Sequence, residues 1–318
     1  MSAPLRYSRA TERLSPFDPD DDPVYWRWRE AKLAAYPARI DELIVEVADP
    51  RSLSNAEHEA ILQRCRIANM AIYASRVCEA DKDILRLLGR QFGLTRLDRN
   101  WLADEDGITQ VTVAETGGRQ NYIPYTSRPI KWHTDGYYNP PERRIRAMFL
   151  HCVSNALAGG ENALLDHEIA YLLIRDADAD LVRALMATDA MTIPARVDEA
   201  GIARVAETGP VFHVDPYSGA LHMRYTARSR SIEWKQDAAT LSAVAFLENL
   251  LAAESPYIYQ VRLEPGMGIV SNNILHDRTE FVDGEKCQRL LYRARYYDRI
   301  AGTELALGDA APCVKRHG

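Results

Sequence analysis

The sequence predicts a mainly β protein in which helices pack outside a closed or sandwiched β core. From residue 107 onward, short runs of β-branched and aromatic residues dominate, among them GITQVTVAE, IRAMFLHCV, YIYQVRL and RLLYRARYY. Turn residues separate these runs, as expected for successive short strands. Inside this stretch, DAATLSAVAFLENLLAAE at 237–254 is the helix candidate with the clearest pattern.

The first ninety residues are predicted to be rich in helix. Ser54 and Glu57 have the spacing of a capping box and precede apolar residues at helical spacing. A second helix is predicted to end at Gly93, a residue type that commonly follows the last helical turn. The acidic, proline-containing segment FDPDDDP at 17–23 is expected to be a solvated arm.

Length and composition favour one enzyme-sized domain. A chain of 318 residues, 47% hydrophobic and 26% charged, can bury a large core. We therefore expect a single domain over 1–318. It would consist of a helix-rich N-terminal part at 1–90, a β core at 91–300 and a C-terminal tail at 301–318.

Charge and cysteine usage argue against several classes of partner. The 39 basic and 45 acidic residues give a net charge of −6, so nucleic acid and anionic membranes have no electrostatic support. No apolar run approaches the ~20 residues of a membrane span, and the first residues lack the apolar stretch of a secretory signal. The five cysteines are odd in number and lack a C-x-x-C motif, which favours free thiols. We expect a cytoplasmic protein that acts on a small molecule. Both a monomer and a homo-oligomer agree with the sequence.

Two His-x-Asp triplets occur, and the second has the context of a turn. His213 and Asp215 lie at the end of a strand and are followed by Pro216 and, three residues later, Gly219. These residue types in this order are typical of a tight turn. Asp215 is therefore interpreted as a hairpin residue and not as a metal ligand.

The first triplet has the context of a metal site. His133 and Asp135 lie on an extended segment, where period-two geometry directs both side chains to one side, and Gly136 permits close approach. His276, just past an apolar strand, offers a third ligand. Two histidines and one carboxylate form the facial set that binds non-haem Fe(II). From these residues alone, ordinary hydrogen-bonded histidines remain the alternative.

Four motifs in a fixed order carry a resemblance to a known family. WHTDG, GGENALLD, NNILHDRTEF and RLLYRARYYD together resemble the taurine/2,4-D dioxygenase-like (TauD/TfdA) family of Fe(II)- and 2-oxoglutarate-dependent oxygenases. The residues of these motifs most resemble those of its γ-butyrobetaine hydroxylase branch, and the resemblance covers about residues 90–300. It implies that the β core is a double-stranded β-helix, or jelly roll, buttressed by helices.

The resemblance also implies roles for individual residues. His133, Asp135 and His276 would be the catalytic ligands of Fe(II), and Arg289 would hold the distal carboxylate of the cosubstrate 2-oxoglutarate. Asn162 stands where the family has a Thr or Ser that hydrogen-bonds the cosubstrate. The implied reaction consumes O2 and 2-oxoglutarate, releases succinate and CO2 and hydroxylates a small substrate.

The substrate class is argued from two sets of residues. Arg293, four residues after Arg289, has the spacing at which taurine-type members bind the acidic group of their substrate, which favours a carboxylate or sulfonate. Tyr125, Tyr137 and Tyr138 could instead supply rings for a trimethylammonium group through cation–π attraction. A betaine-type hydroxylase is therefore the alternative within the family.

Other interpretations stay open at this stage. A zinc-dependent hydrolase could use the same three ligands, although it leaves Arg289 and Asn162 without a role. A non-catalytic, cupin-like binding protein is the second alternative. Three further arginines either extend a positive field toward the substrate or form a solvated surface: Arg224, Arg228 and Arg230.

Overall fold

The computed structural model describes residues 15–99, 106–114, 119–198, 201–285 and 287–305. These residues form a mainly β structure with several helices, as predicted. The α-helices are α1 Asp22–Ala35, α2 Asn55–Ala68, α3 Asp83–Gln91, α4 His167–Ala177, α5 Ala179–Met186 and α6 Ala238–Ala252. The strands are β1 Ile44–Glu46, β2 Met70–Ala74, β3 Ile108–Val111, β4 Ile130–His133, β5 Ala147–Ser154, β6 Ala158–Gly159, β7 Asn162–Leu165, β8 Met191–Ile193, β9 Arg196–Asp198, β10 Gly201–Arg204, β11 Glu207–Gly209, β12 Phe212–Val214, β13 Leu221–Met223, β14 Glu233–Trp234, β15 Tyr259–Val261, β16 Met267–Ser271, β17 Leu275–Arg278, β18 Phe281–Val282 and β19 Leu290–Tyr296.

Two sheets enclose part of the hydrophobic core. The larger sheet has six strands in the order β1-β2-β16-β5-β19-β3, and the second has four in the order β15-β7-β17-β4. Ile72, Leu150 and Ile269 from the first sheet share one buried cluster with Leu164 and Tyr259 from the second. The two sheets therefore pack face to face, and the inner strands β17 and β7 hold rigid positions for polar side chains.

Helices cover the outside, and the predicted helix starts are confirmed. Ser54 and Glu57 form the reciprocal hydrogen bonds of a capping box at the start of α2. Asp237 caps α6 by accepting a hydrogen bond from the backbone N–H of Thr240. In each case a side-chain oxygen satisfies an amide that the first helical turn leaves without a partner.

The expectation of a solvated arm at 17–23 is wrong. Phe17 is fully buried, and its ring packs edge-on against Trp28 at 5.0 Å and Tyr171 at 5.4 Å between centroids. Asp22 forms an ion pair of 3.1 Å with Arg175. One aromatic side chain thus anchors an otherwise acidic segment onto the helices.

The strands β1 and β2, both within the first ninety residues, were not predicted, and β2 pairs with the central strand β16. The helices α4 and α5 were also missed. Most residues of α4 are buried, so its sequence lacks the one-sided apolar pattern of a surface helix.

The structure describes four of the five cysteines. Cys65 and Cys152 are buried, Cys78 and Cys287 are exposed, and all four are free thiols. Cys313 lies outside the described residues. Among the helices in the described ranges, none is both long and apolar enough to cross a membrane.

Candidate metal centre and substrate pocket

The structure brings together the three side chains that the sequence singled out as metal ligands. His133 ends β4 and lies directly opposite His276 of β17 in the antiparallel register. The two imidazole rings are 4.2 Å apart between centroids. Asp135 follows β4, and one potential ligand atom from each residue lies within 4.8 Å of the other two. A single cation can contact all three.

Both imidazoles are oriented by backbone carbonyls. The Nδ1 of His133 lies 2.9 Å from the carbonyl oxygen of Lys131, and the Nδ1 of His276 lies 3.0 Å from that of Ile274. If each Nδ1–H donates, each Nε2 keeps its lone pair, which is the form that binds metals. Loss of contact with water, together with the neighbouring His276, lowers the pKa of His133 to about 3. Burial also lowers the pKa of His276, so both rings are neutral at neutral pH.

Asp135 offers an ionised oxygen without a partner. Its Oδ1 accepts a hydrogen bond of 3.2 Å from Nη1 of Arg293, whereas its buried Oδ2 has no hydrogen-bond partner among the described residues. Burial on its own raises the pKa of this carboxyl, but the guanidinium groups of Arg293 and Arg295 lower it overall. A buried anionic oxygen beside two neutral imidazoles fits a divalent cation.

The backbone around Asp135 is fixed by close contacts. Gly136 has a φ of +68°, and a Cβ there would lie 2.4 Å from Cγ1 of Ile145. The Asn273 side chain accepts a hydrogen bond from the N–H of Asp135 and donates to the carbonyl oxygens of Asp135 and Ile145. Asn273 was missed by the sequence analysis, although its place in NNILH, three residues before His276, was visible.

The second His-x-Asp triplet forms a turn, as predicted. His213 lies in the hairpin of β12 and β13. Oδ1 of Asp215 accepts hydrogen bonds of 3.0 Å from the backbone amides of Tyr217 and Ser218. Gly219 has a φ of +68° and closes the turn. The other carboxylate oxygen, Oδ2, pairs with Arg146 at 3.2 Å, so both oxygens of Asp215 already have partners within the protein.

A small cavity of about 40 Å³ borders both histidines and contains Arg289 and Asn162. Arg289 is buried, and no carboxylate in the described part of the chain forms a salt bridge with it. Gly160 allows this position, because a Cβ at residue 160 would lie 3.1 Å from Nε of Arg289. Burial lowers the pKa of Arg289, which indicates a cation poorly compensated by the protein.

One of the two polar atoms of the Asn162 side chain is hydrogen-bonded within the protein. Its Nδ2 donates a hydrogen bond of 2.7 Å to the carbonyl oxygen of Asp277. Its buried Oδ1 has no hydrogen-bond partner among the described residues. Asn162 therefore lines the cavity with a polar atom, and one of its amide N–H donors is already used within the protein. Its contact with the cosubstrate stays a prediction.

Arg278 is a second cation in this cavity and was missed by the sequence analysis. It lies two residues after His276, where the period of a strand brings both side chains to one face. Its Nη2 donates to the carbonyl oxygens of Thr126 and Arg128, whereas Nε and Nη1 are buried without partners in the described chain. Burial and the charge of Arg289 lower its pKa to about 9.

A larger pocket of about 450 Å³ also borders His133 and Asp135. It is lined by Arg293, Tyr125 and Tyr137, for which the sequence predicted substrate contact, and that contact stays a prediction. His133 and Arg293 also line the smaller cavity. The other charged and aromatic lining residues are Asp135, Tyr122, Tyr138, Arg196, Arg204, Arg228 and Arg295. Of the three arginines considered from the sequence at 224–230, Arg228 is the one that lines this pocket.

Arg196 and Arg204 were missed because they come from a distant hairpin, β9–β10. The guanidinium carbon of Arg196 lies 4.7 Å from the ring centroid of Tyr122, and that of Arg204 lies 5.2 Å from the centroid of Tyr138. These stacking contacts hold the hairpin against the pocket. The pocket wall thus carries five guanidinium groups against one carboxylate, Asp135, among its described residues.

Two curated relatives carry the same name. A uridine-5'-phosphate dioxygenase from an Amycolatopsis species is 34% identical over 176 residues, which cover 52% of this chain and 60% of that protein. A uridine-5'-phosphate dioxygenase from a Streptomyces species is 28% identical over 201 residues, covering 60% of this chain and 70% of that protein. The matching region therefore spans between 60% and 70% of the length of these relatives.

Solved structures show the same fold at low sequence identity. An asparagine oxygenase in complex with Fe(II), 2S,3S-3-hydroxyasparagine and succinate is 16% identical, with a TM-score of 0.56 over 87% of this chain and 85% of that chain. A taurine dioxygenase from Burkholderia xenovorans is 16% identical, with a TM-score of 0.54 over 82% and 89% of the two chains. The family model described as taurine catabolism dioxygenase TauD, TfdA family matches residues 49–295. This chain therefore belongs to the TauD/TfdA family of dioxygenases.

Proposed function

We propose that this protein is an Fe(II)- and 2-oxoglutarate-dependent dioxygenase built on a double-stranded β-helix. The observation that carries the proposal is the convergence of His133, Asp135 and His276 around a buried carboxylate oxygen that has no partner among the described residues. Fe(II) accepts this donor set and keeps open positions for a chelating cosubstrate. When bound, iron, 2-oxoglutarate and O2 would supply the oxidant, with release of succinate and CO2.

The chain's own residues would bind and orient the reactants. His133, Asp135 and His276 would hold the iron, with Asp135 kept ionised by Arg293. Arg289, together with Arg278, would hold the distal carboxylate of 2-oxoglutarate, because both are buried cations without a carboxylate partner in the described chain. Asn162 would add a polar contact.

The observations favour 2-oxoglutarate chemistry over zinc hydrolysis. A hydrolase with the same three ligands would give no function to Arg278 and Arg289, and an uncompensated buried charge is costly to retain. A non-catalytic binding protein would not need a carboxylate oxygen held ionised beside two neutral imidazoles. Both alternatives are therefore disfavoured.

The proposed substrate is a phosphate ester of a nucleoside. Its support is the name shared by both curated relatives, uridine-5'-phosphate dioxygenase, together with the pocket of about 450 Å³ and its five guanidinium groups. A pocket of this volume can hold a ligand much larger than a small carboxylate or sulfonate. A betaine is disfavoured because the guanidinium groups would repel its quaternary ammonium, and neither curated relative supports the γ-butyrobetaine hydroxylase branch.

Five alanine variants test the metal centre. His133→Ala, Asp135→Ala and His276→Ala should each abolish iron retention and succinate formation, because two ligands do not hold the ion in an open site. His213→Ala and Asp215→Ala are matched controls from the turn triplet and should keep both properties. All five variants are loaded with iron under anaerobic conditions, and the iron bound per chain is measured. O2 is then added, and the succinate released is measured. Full activity of the His276 variant would contradict the ligand set.

A further inference from the structure

The charges of the substrate pocket are unevenly compensated. Arg293 contacts Asp135 at 3.2 Å, and Arg295 contacts the buried Asp98 at 2.6 Å. These two arginines therefore already have carboxylate partners. The other arginines of the wall must account for most of the positive field that an entering anion would meet.

Arg204 and Arg228 lack such partners. No carboxylate in the described ranges lies within salt-bridge distance of either guanidinium. The Nη2 of Arg204 donates a hydrogen bond of 2.8 Å to the carbonyl oxygen of Pro194, and its Nε is buried without a hydrogen-bond partner in the described chain. Burial lowers the pKa of Arg204, as expected for a cation that lacks a counter-ion.

Neutral polar groups lie on the same wall. Thr226 and Ser231 flank Arg228 in sequence and line the pocket with it. The hydroxyl oxygen of Tyr138 accepts a hydrogen bond of 3.0 Å from Arg295, so its own O–H can still donate. Guanidinium groups with hydroxyl donors beside them are the usual ligands of a phosphate group.

We propose that Arg204 and Arg228 form the subsite for the phosphate of the substrate, and that Arg293 does not. This inference rests on the proposed function for the identity of the substrate. It replaces the expectation, drawn from family spacing, that Arg293 receives the acidic group. The division of roles leaves Arg293 beside the metal centre and places phosphate recognition on the β9–β10 hairpin and the segment after β13.

Calorimetry tests the proposal. The anaerobic protein is loaded with Fe(II) and 2-oxoglutarate, and the binding of uridine 5'-phosphate, uridine and inorganic phosphate is measured in turn. Arg204→Gln should weaken binding of uridine 5'-phosphate at least about tenfold, and Arg228→Gln, an exposed residue, about three- to tenfold. Both variants should bind uridine and 2-oxoglutarate as the wild-type protein does. Arg230→Gln is the matched control, since Arg230 is exposed in the same short turn and does not line the pocket.

The outcomes separate the subsite from the proposed function. Wild-type affinity for uridine 5'-phosphate in both variants would overturn the subsite, and so would failure of the wild-type protein to bind either uridine 5'-phosphate or inorganic phosphate. Equal losses for uridine and its phosphate would also overturn it, because they would indicate a general distortion of the pocket. Binding of uridine 5'-phosphate that depends on Arg204, in a protein that never forms succinate, would support the subsite and contradict the proposed function.

Discussion

Replacing Arg289 with methionine should make the ligand-free protein more stable and the binding of 2-oxoglutarate much weaker. The guanidinium carbons of Arg289 and Arg278 lie 5.1 and 4.7 Å from the centroid of the same Phe281 ring, so they are at most about 10 Å apart. At an effective dielectric constant of about 20, two such charges repel by at least roughly 1.7 kcal/mol. Both residues are buried, so solvent screens this repulsion little.

Methionine keeps much of the length and packing of arginine on Phe281 and removes the charge. Burying an ion without a carboxylate partner costs several kcal/mol in desolvation, so we expect its replacement by methionine to stabilise the ligand-free protein by about 1–4 kcal/mol. Loss of the charged contact should cost 2-oxoglutarate binding about 2–5 kcal/mol, which is roughly 30-fold to several thousand-fold in the dissociation constant. The two effects have opposite signs.

Urea unfolding of the metal-free protein and calorimetric titration of 2-oxoglutarate into the anaerobic Fe(II) protein measure the two effects separately. Arg183→Met is the control, because Arg183 is a half-exposed surface residue paired with Asp180, and it should change neither quantity appreciably. A less stable Arg289→Met protein that binds 2-oxoglutarate normally would refute the reasoning, since Arg289 would then be a packing residue only.

Other predictions concern stability and thiols. Asp98→Asn should cost about 3–5 kcal/mol in urea unfolding, because it leaves the buried Arg295 without its carboxylate, and Asp98→Asn with Arg295→Met should recover much of the loss. Burial alone raises the pKa of Asp98, but Arg295 lowers it overall, so the stability from this pair should be present above the unfolded-state pKa and be lost as the pH falls through the folded-state value. Gly136→Ala should reduce iron retention and cost about 1–3 kcal/mol, since its φ is positive and Ile145 blocks a Cβ. Intact mass under denaturing conditions should be identical with and without reductant, and a loss of two daltons without reductant would show a disulfide.

Part of the candidate metal centre could be predicted because its information is local. The two-residue spacing of His133 and Asp135 predicted side chains on one side, although Asp135 lies just past the end of β4 and not on the strand. The turn residues after Asp215 distinguish the second triplet from the first. The third candidate, His276, was chosen from its strand-end context and from the order of the motifs. The register that sets His133 opposite His276 is a tertiary property, and only the structure shows it.

Residues that depend on distant contacts could not be predicted. Arg196 and Arg204 reach the pocket because their hairpin stacks on Tyr122 and Tyr138, and no spacing in the sequence encodes that contact. Phe17 was hidden for the same reason, since the acidic residues around it dominate the local pattern. Arg278 is the exception, because its position two residues after His276 was a usable signal.

Arg293 makes a contact in the structure that family spacing alone does not predict. The spacing from Arg289 correctly predicts that Arg293 lies near the metal centre, and it lines both the small cavity and the large pocket. Its Nη1, however, contacts Asp135, so the charge of Arg293 first serves to keep that carboxylate ionised. Removing Arg293 would therefore disturb the metal centre before any effect on the substrate could be observed. Recognition of the substrate anion is better sought on arginines whose charge the protein does not already use.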